Sequence, residues 1–293
     1  MSSSPVERRR IREMEAMVAD VIRETPDTTT LILFTGNERL DYQPGHFLTI
    51  DPHQFDGLER FIAFLEDLKG KKEPARAYSM SSAPHEKYLA ITVKEERYSS
   101  GQTKYPPLLS PLLVKRVARG GRLIITGFTG PYTLADGIES MTSHLVHICA
   151  GSGSVPNFSI LKHALNRHSA LRHTFIYSNR TWEDTIFQDQ LSRLQIEEPD
   201  RVRIVHTLTR EPGTAALGPN MHYGRLNAEL IQKHVPDLTE ARFYVCGPAI
   251  SSWDRAAARE KGIDPQPRFM ESVLMSLHSL GVKKNQITTE SYG

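Results

Sequence analysis

The sequence has 293 residues, 39% of them apolar and 24% charged, which is a length for two domains of ordinary size and the composition of a soluble globular chain. No stretch approaches the about 18 uncharged apolar residues of a membrane helix, and the 36 basic residues are interspersed with acidic ones outside Arg8–Arg10 and Lys69–Lys72, so neither a membrane span nor a nucleic-acid surface is expected. Two cysteines, Cys149 and Cys246, exclude a disulfide framework and a four-cysteine zinc or iron–sulfur site within these residues, so any iron–sulfur partner is expected to be a separate chain.

Along the chain, the stretch before Glu15 has basic residues with no apolar segment behind them. It reads as a solvated tail rather than a secretory signal, and a cytoplasmic protein is expected. Short β-like segments follow at Met17–Glu24, Thr29–Thr35, His46–Asp51, Arg76–Ser81, Tyr88–Val93 and Arg122–Thr126, separated by Gly, Pro and Asp. Many short strands with few helices argue for an antiparallel barrel or sandwich. Phe55–Leu68 interrupts them with Leu58, Phe61, Ile62 and Leu65 at helical spacing. With the charged residues after it, this stretch reads as a peripheral surface insertion.

Near Asp136–Met141 the style changes. Strands at His144–Ala150, His173–Tyr177, Arg203–Thr207 and Phe243–Val245 alternate with helices at Asn157–Arg167, Thr185–Leu194 and Arg268–Leu280, the last closed by Gly281. Such alternation predicts a parallel sheet covered by helices on both faces. The expected organisation is therefore an antiparallel β-barrel or sandwich over residues 14–138 and a Rossmann-like parallel α/β unit over residues 139–293.

The turn Cys149-Ala-Gly-Ser-Gly-Ser-Val-Pro-Asn157 has the form G-x-G-x-x-P between a strand and a helix. Gly151 and Gly153 let backbone approach a pyrophosphate, Ser152 offers a hydroxyl, and the helix after it presents free N–H groups. An NAD site usually has an acid at the tip of the second strand. Here that strand runs into Ser178-Asn179-Arg180, and the next ends in Thr209-Arg210. Each arginine alone reads as an exposed loop residue, but together they favour NADPH over NADH, because guanidinium groups bind phosphate bidentately.

The segment Arg76-Ala77-Tyr78-Ser79 places Arg76 and Tyr78 on one face of a strand and Ser79 on the other. The order R-A-Y-S, then G-F-T-G-P-Y at Gly127–Tyr132, then G-x-G-x-x-P, then Tyr-Val-Cys-Gly-Pro at Tyr244–Pro248 resembles the ferredoxin–NADP(+) reductase superfamily over nearly the whole chain. It looks most similar to the reductase components of multicomponent oxygenases, without their iron–sulfur domain. The resemblance implies that Arg76 pairs with the flavin phosphate, Tyr78 stacks on the flavin ring and Ser79 hydrogen-bonds the flavin N5, while Thr92 and Val93 border the adenine-ribose side of FAD. It implies that Gly151, Ser152 and Gly153 hold the NAD(P) pyrophosphate, while Ser178 and Arg180, by their place at the strand end, lie where a 2′-phosphate could sit. Thr209 and Arg210 fall to the 2′-phosphate, and Cys246, Gly247 and Pro248 to the loop against the nicotinamide. Glu290 and Tyr292 match a terminal acid and aromatic beside the flavin.

The Gly-x-x-Ser segment that binds the FAD pyrophosphate in this family has no close match after Gly101, so FMN stays an alternative to FAD. The insertion before Arg76 is unusual for the family and could cover the flavin or meet a partner. The implied function is hydride transfer from NADPH or NADH to FAD, followed by electron transfer to a ferredoxin or other iron–sulfur or oxygenase acceptor. A free-standing flavin or quinone reductase and a non-catalytic flavin-binding electron-transfer subunit are the alternatives. No metal site is expected, since His144 and His147 face opposite sides of a strand and His163 and His168 are separated around a helix. Cys149 is expected in the core.

Overall fold

A computed structural model describes residues 12–36, 40–100, 103, 105–213 and 218–292. Arg8–Arg10 and Gly101 lie outside the described residues. The chain folds as two six-stranded sheets in succession. The first contains β1 (Arg12–Thr25), β2 (Thr28–Phe34), β3 (Phe47–Ile50), β4 (Arg76–Ser79), β5 (Leu89–Lys94) and β6 (Arg122–Thr129), all antiparallel, in the order β4-β3-β6-β1-β2-β5. A bridge between Met80 and Ile91 joins the two outer strands, so the sheet closes on itself as the expected barrel. Its interior is filled by residues at alternate positions, among them Val18, Leu31, Leu33, Leu48, Ile50, Ile91, Leu123 and Ile125, each at most 2% exposed.

Two helices belong to this half. The insertion forms α1 (Glu59–Lys69), stopped by Gly70 at φ +64°. Ile62 and Leu65 are buried against Leu108 in a small cluster separate from the barrel core, and the chain leaving α1 delivers Glu73 to Arg76. The short helix α2 (Ser110–Lys115) was not foreseen.

The second sheet contains β7 (His144–Ala150), β8 (Arg172–Asn179), β9 (Val202–Leu208), β10 (Met221–Tyr223), β11 (Ala241–Pro248) and β12 (Ile287–Tyr292), all parallel, in the order β10-β9-β8-β7-β11-β12. Helices α3 (Ser154–Arg167) and α4 (Gln188–Glu197) cover one face, where Phe158, Leu161 and Leu191 meet Phe175 and Tyr177. On the other face α5 (Ala228–His234) and α7 (Phe269–Ser279) set Ile231, Val273 and Leu277 against Val146, Ile148 and Ile176. Strand β8 thus sends Phe175 and Tyr177 one way and Ile176 the other, the two-sided burial that a near-continuous apolar run implies. A further helix, α6 (Ser252–Glu260), precedes α7.

Strand order fixes where a ligand can enter. The chain steps from β7 to β8 and β9 on one side, then crosses to β11 and β12 on the other. The connections leaving β7 and β11 therefore diverge and open a crevice at their carboxyl ends, the usual ligand position in such sheets.

Candidate functional site

At the tip of β7 the chain turns through Gly151, which adopts φ +52° with open space where a side chain would be. Gly153 is constrained differently. A Cβ there would lie 2.2 Å from the Cys246 carbonyl oxygen and 2.9 Å from the Gly247 Cα, so this glycine serves contact with β11 rather than approach to a ligand. Gly247 in turn has no side chain because a Cβ would lie 2.5 Å from the Phe269 ring. Inside α3, the fully buried Asn157 donates to the Gly153 carbonyl at 3.1 Å and accepts from the Tyr132 hydroxyl at 3.1 Å, pinning the turn to the chain leaving the barrel.

The turn opens on a cleft of about 530 Å³ that is lined by Gly151, Ser152, Ser178, Arg180, Thr209, Arg210 and Pro248, seven of the residues expected from the sequence. Arg225 and Arg268 add two guanidinium groups. Arg180 is held by Asp184 at 3.2 Å and Asp27 at 3.5 Å, and Arg268 by Asp254 at 2.6 Å. Thr209 donates its hydroxyl to the Asn179 carbonyl at 3.2 Å. Gly153, Cys246 and Gly247 do not line this cleft; they pack against one another behind the turn.

A second cleft of about 380 Å³ runs along β4 and β5, lined by Arg76, Tyr78, Ser79, Thr92, Val93, Ser110 and Tyr292. Arg76 and Tyr78 are half-buried and Ser79 is buried, as the alternation of the strand predicts. The Arg76 guanidinium is 2.5 Å from Glu73, whose carboxylate also pairs with Lys69. Thr92 shares a 2.7 Å hydrogen bond with Thr30, and Ser110 accepts the Glu96 N–H at 3.1 Å.

The two clefts adjoin, sharing Lys94 and Ser152. Lys94 pairs with Asp27 at 2.8 Å. Burial opposes ionisation of Asp27, but the hydrogen bond and charge of Lys94 outweigh it and hold the carboxyl below its ordinary value. Lys94 was missed in the sequence although it is two positions beyond Thr92 on the same strand face, which was the available signal. Arg225 stands in a stretch without periodicity and gave none.

Strand β12 carries the terminal pair to the same junction. Its register sets Glu290 opposite Cys246 and Tyr292 opposite Pro248. The Tyr292 hydroxyl lies 2.7 Å from the Ser79 hydroxyl. Burial pushes the Glu290 carboxyl up to about 7, only partly offset by the Ser79 hydroxyl, and its Oε2 is buried without a partner. Burial, with Glu290 alongside, also raises the Cys246 thiol well above its ordinary value, so Cys246 is a neutral thiol at neutral pH and no nucleophile. It lies within strand β11 and is fully buried, as is Cys149.

One histidine expectation is corrected. The rings of His163 and His168 come within 6.4 Å, because His168 leaves the helical spiral one residue beyond α3, with φ −128° and ψ 86°. Among the described residues no group of three or more His, Cys, Asp or Glu side chains is gathered to hold a metal ion, and no helix is long and apolar enough to cross a membrane.

These features fit a flavin and a nicotinamide nucleotide. There is an open glycine turn for a pyrophosphate, a cationic cleft, an adjoining cleft with an aromatic and a guanidinium, and, on the carboxyl that Ser79 bonds, an unpartnered buried oxygen. The comparisons agree. A family model described as the oxidoreductase NAD-binding domain matches residues 147–251. The ferredoxin reductase component of 3-ketosteroid-9-alpha-monooxygenase from Mycolicibacterium smegmatis is 31% identical over 216 residues, covering 70% of this chain and 53% of that protein. The corresponding component from Rhodococcus rhodochrous is 25% identical, covering 96% of this chain and 65% of that protein. The chain thus spans between about half and two thirds of these relatives. Among solved structures, the FAD/NAD-binding domain of a nitric oxide dioxygenase from Vibrio cholerae matches with a TM-score of 0.69 at 21% identity, covering 96% of this chain and 100% of that one.

Proposed function

We propose that the chain belongs to the ferredoxin–NADP(+) reductase superfamily and is the NAD(P)H-oxidising reductase component of a multicomponent oxygenase, passing electrons to a ferredoxin or other iron–sulfur acceptor. The observation that carries this reading is the shared wall of the two clefts at Lys94 and Ser152, beside the Ser79–Tyr292 contact. A flavin held by Arg76, Tyr78 and Ser79 would supply the redox chemistry, that of a two-electron hydride acceptor and one-electron donor.

The residues of the chain supply position and charge. Arg76, at the edge of β4, offers a guanidinium edge to the flavin phosphate, and Tyr78 on the same face offers its ring. Thr92 and Val93 wall the other side, toward the adenine of FAD. Gly151 and Ser152 present the β7 turn to the nucleotide pyrophosphate, with Gly153 seating that turn on Cys246 and Gly247. Pro248 closes the nicotinamide end. Ser178, Arg180, Thr209 and Arg210 gather hydroxyls and cations at the far end of the cleft, and Arg225 reinforces them. This group favours a 2′-phosphate, and so NADPH over NADH.

Ser79 and Glu290 are the proton-handling pair. Ser79 places a hydroxyl hydrogen-bond donor at the junction, and Glu290, its carboxyl raised to about 7, would take up through that hydroxyl the proton freed when the electrons leave. Tyr292 holds the Ser79 hydroxyl in place and must release it for a nicotinamide to reach the same spot.

The test is turnover by the purified, flavin-loaded chain with NADPH and a range of acceptors. Reduction of a plant-type ferredoxin or an oxygenase iron–sulfur protein well above that of free flavin and quinones is expected. Vigorous turnover with quinones and none with iron–sulfur proteins would overturn the acceptor assignment.

A further inference from the structure

A third cleft, also about 530 Å³, opens at the junction of barrel and parallel sheet and shares no lining residue with the other two. Its walls come from both halves. Ile22, Ile32 and Ala90 face it from β1, β2 and β5, and Phe158, Phe187 and Leu194 from α3, the residue before α4, and α4. Phe158 and Phe187 stack at 4.3 Å, giving a rigid aromatic floor. At the mouth, Ile22 and Tyr88 are left 40% and 41% exposed, large apolar side chains that converge on one opening. A cleft of this size at a domain boundary, mostly apolar with a few polar groups, has the usual makeup of a small-molecule site.

The charges in it are unevenly satisfied. Glu86 pairs with Lys162 at 2.5 Å, and Lys162 also lies 4.7 Å over the Phe158 ring. Glu24 accepts from the Thr30 hydroxyl at 2.7 Å and the Phe187 N–H at 3.3 Å. Both carboxylates are therefore engaged. On α4, the Arg193 and Gln190 side chains line the cleft and have no polar partner among the described residues. With Lys87, Lys162 and Arg193 against Glu24 and Glu86, the lining carries one excess positive charge, which a ligand with one negative charge would neutralise.

We propose that this cleft binds a small amphipathic carboxylate, its apolar body between Ile22, Ile32 and the Phe158–Phe187 floor and its carboxylate on Arg193 and Gln190. Such a ligand touches both halves of the chain at once and restrains their relative movement. The site is independent of the redox reading, since it uses none of the residues placed beside flavin or nucleotide.

Isothermal titration of the flavin-loaded protein with decanoate tests it. One binding site is expected, with an affinity unchanged by saturating NADP(+). The same apolar chain without the charge, 1-decanol, binds at least tenfold more weakly. Arg193→Glu reverses the charge on an exposed part of α4, and Gln190→Trp narrows the mouth. Both keep the fold, and each weakens decanoate at least tenfold. Absence of decanoate binding, displacement by NADP(+), equal binding of decanol, or unchanged affinity in both variants would each overturn the proposal. Loss of NADPH oxidation is not read in this experiment, so its outcome is separate from that of the redox assignment.

Discussion

Ser79 and Tyr292, 213 positions apart in the chain, meet through a 2.7 Å contact between their hydroxyls. The contact ties the outer strand of the barrel to the last strand of the parallel sheet. The same last strand sets the half-buried Glu290 opposite the fully buried Cys246.

Ser79→Ala removes the hydroxyl donor from that junction while Arg76, Tyr78 and the walls of the second cleft stay in place. One hydrogen bond is worth about 1 kcal/mol, so flavin reduction by NADPH should slow by about five- to tenfold with bound flavin retained. Stopped-flow absorbance measures both, and an unchanged reduction rate removes Ser79 from the mechanism.

Glu290 gives the account a pH dependence. Its folded carboxyl is raised from 4.5 to about 7 by burial, so the stabilising effect of its proton is complete below pH 4.5 and is lost as pH rises through about 7. Glu290→Gln keeps the neutral form at every pH. Across about pH 5 to about pH 8 the melting temperature of the native protein should therefore fall relative to that of the variant. The transition near pH 7 in the nucleotide oxidation rate should vanish in Glu290→Gln. Parallel melting curves at all pH values would contradict this.

The two loop glycines should respond differently to alanine. At Gly153 the added Cβ meets backbone at 2.2 Å, so β7 and β11 must separate, which costs about 1–3 kcal/mol and weakens nucleotide binding. At Gly151 there is room, and only the positive φ opposes the change, at about 1 kcal/mol. Thermal melts together with NADP(+) titrations distinguish them, and an equally mild effect at both positions would contradict the packing role of Gly153.

Recognition of the 2′-phosphate is tested at Arg210, which lines the nucleotide cleft and carries no ion pair among the described residues. Arg210→Ala should raise the KM for NADPH about tenfold, equivalent to about 1.4 kcal/mol, and leave the KM for NADH and both kcat values nearly unchanged. A rise of equal size for NADH would assign Arg210 to the shared part of the two nucleotides.

Much of this arrangement was legible in the residues. Alternation marked β4 and β6, and the two-sided apolar runs marked β7, β8 and β11, because period and burial are local properties of a strand. The β7 turn announced itself through its glycines, but its chemistry was only half visible. That Gly153 answers to the Cys246 carbonyl rather than to a ligand depends on a long-range contact. Strand β12 escaped notice because Ile287-Thr-Thr-Glu-Ser-Tyr292 is largely polar, and it is held by pairing with β11, which leaves no periodic signal. The short elements α2, β10 and α5 are likewise set by tertiary packing. The apolar partner of the insertion, Leu108, lies far along the chain and left no local signal, and the Glu73–Arg76 pair could not be inferred from spacing alone.

The most direct measurement is an anaerobic absorbance titration of the purified, flavin-reconstituted chain with NADPH. The account predicts a visible flavin absorbance band that bleaches with about one equivalent of nucleotide. A chain that stays colourless after reconstitution, or whose band does not bleach with either NADPH or NADH, would contradict it.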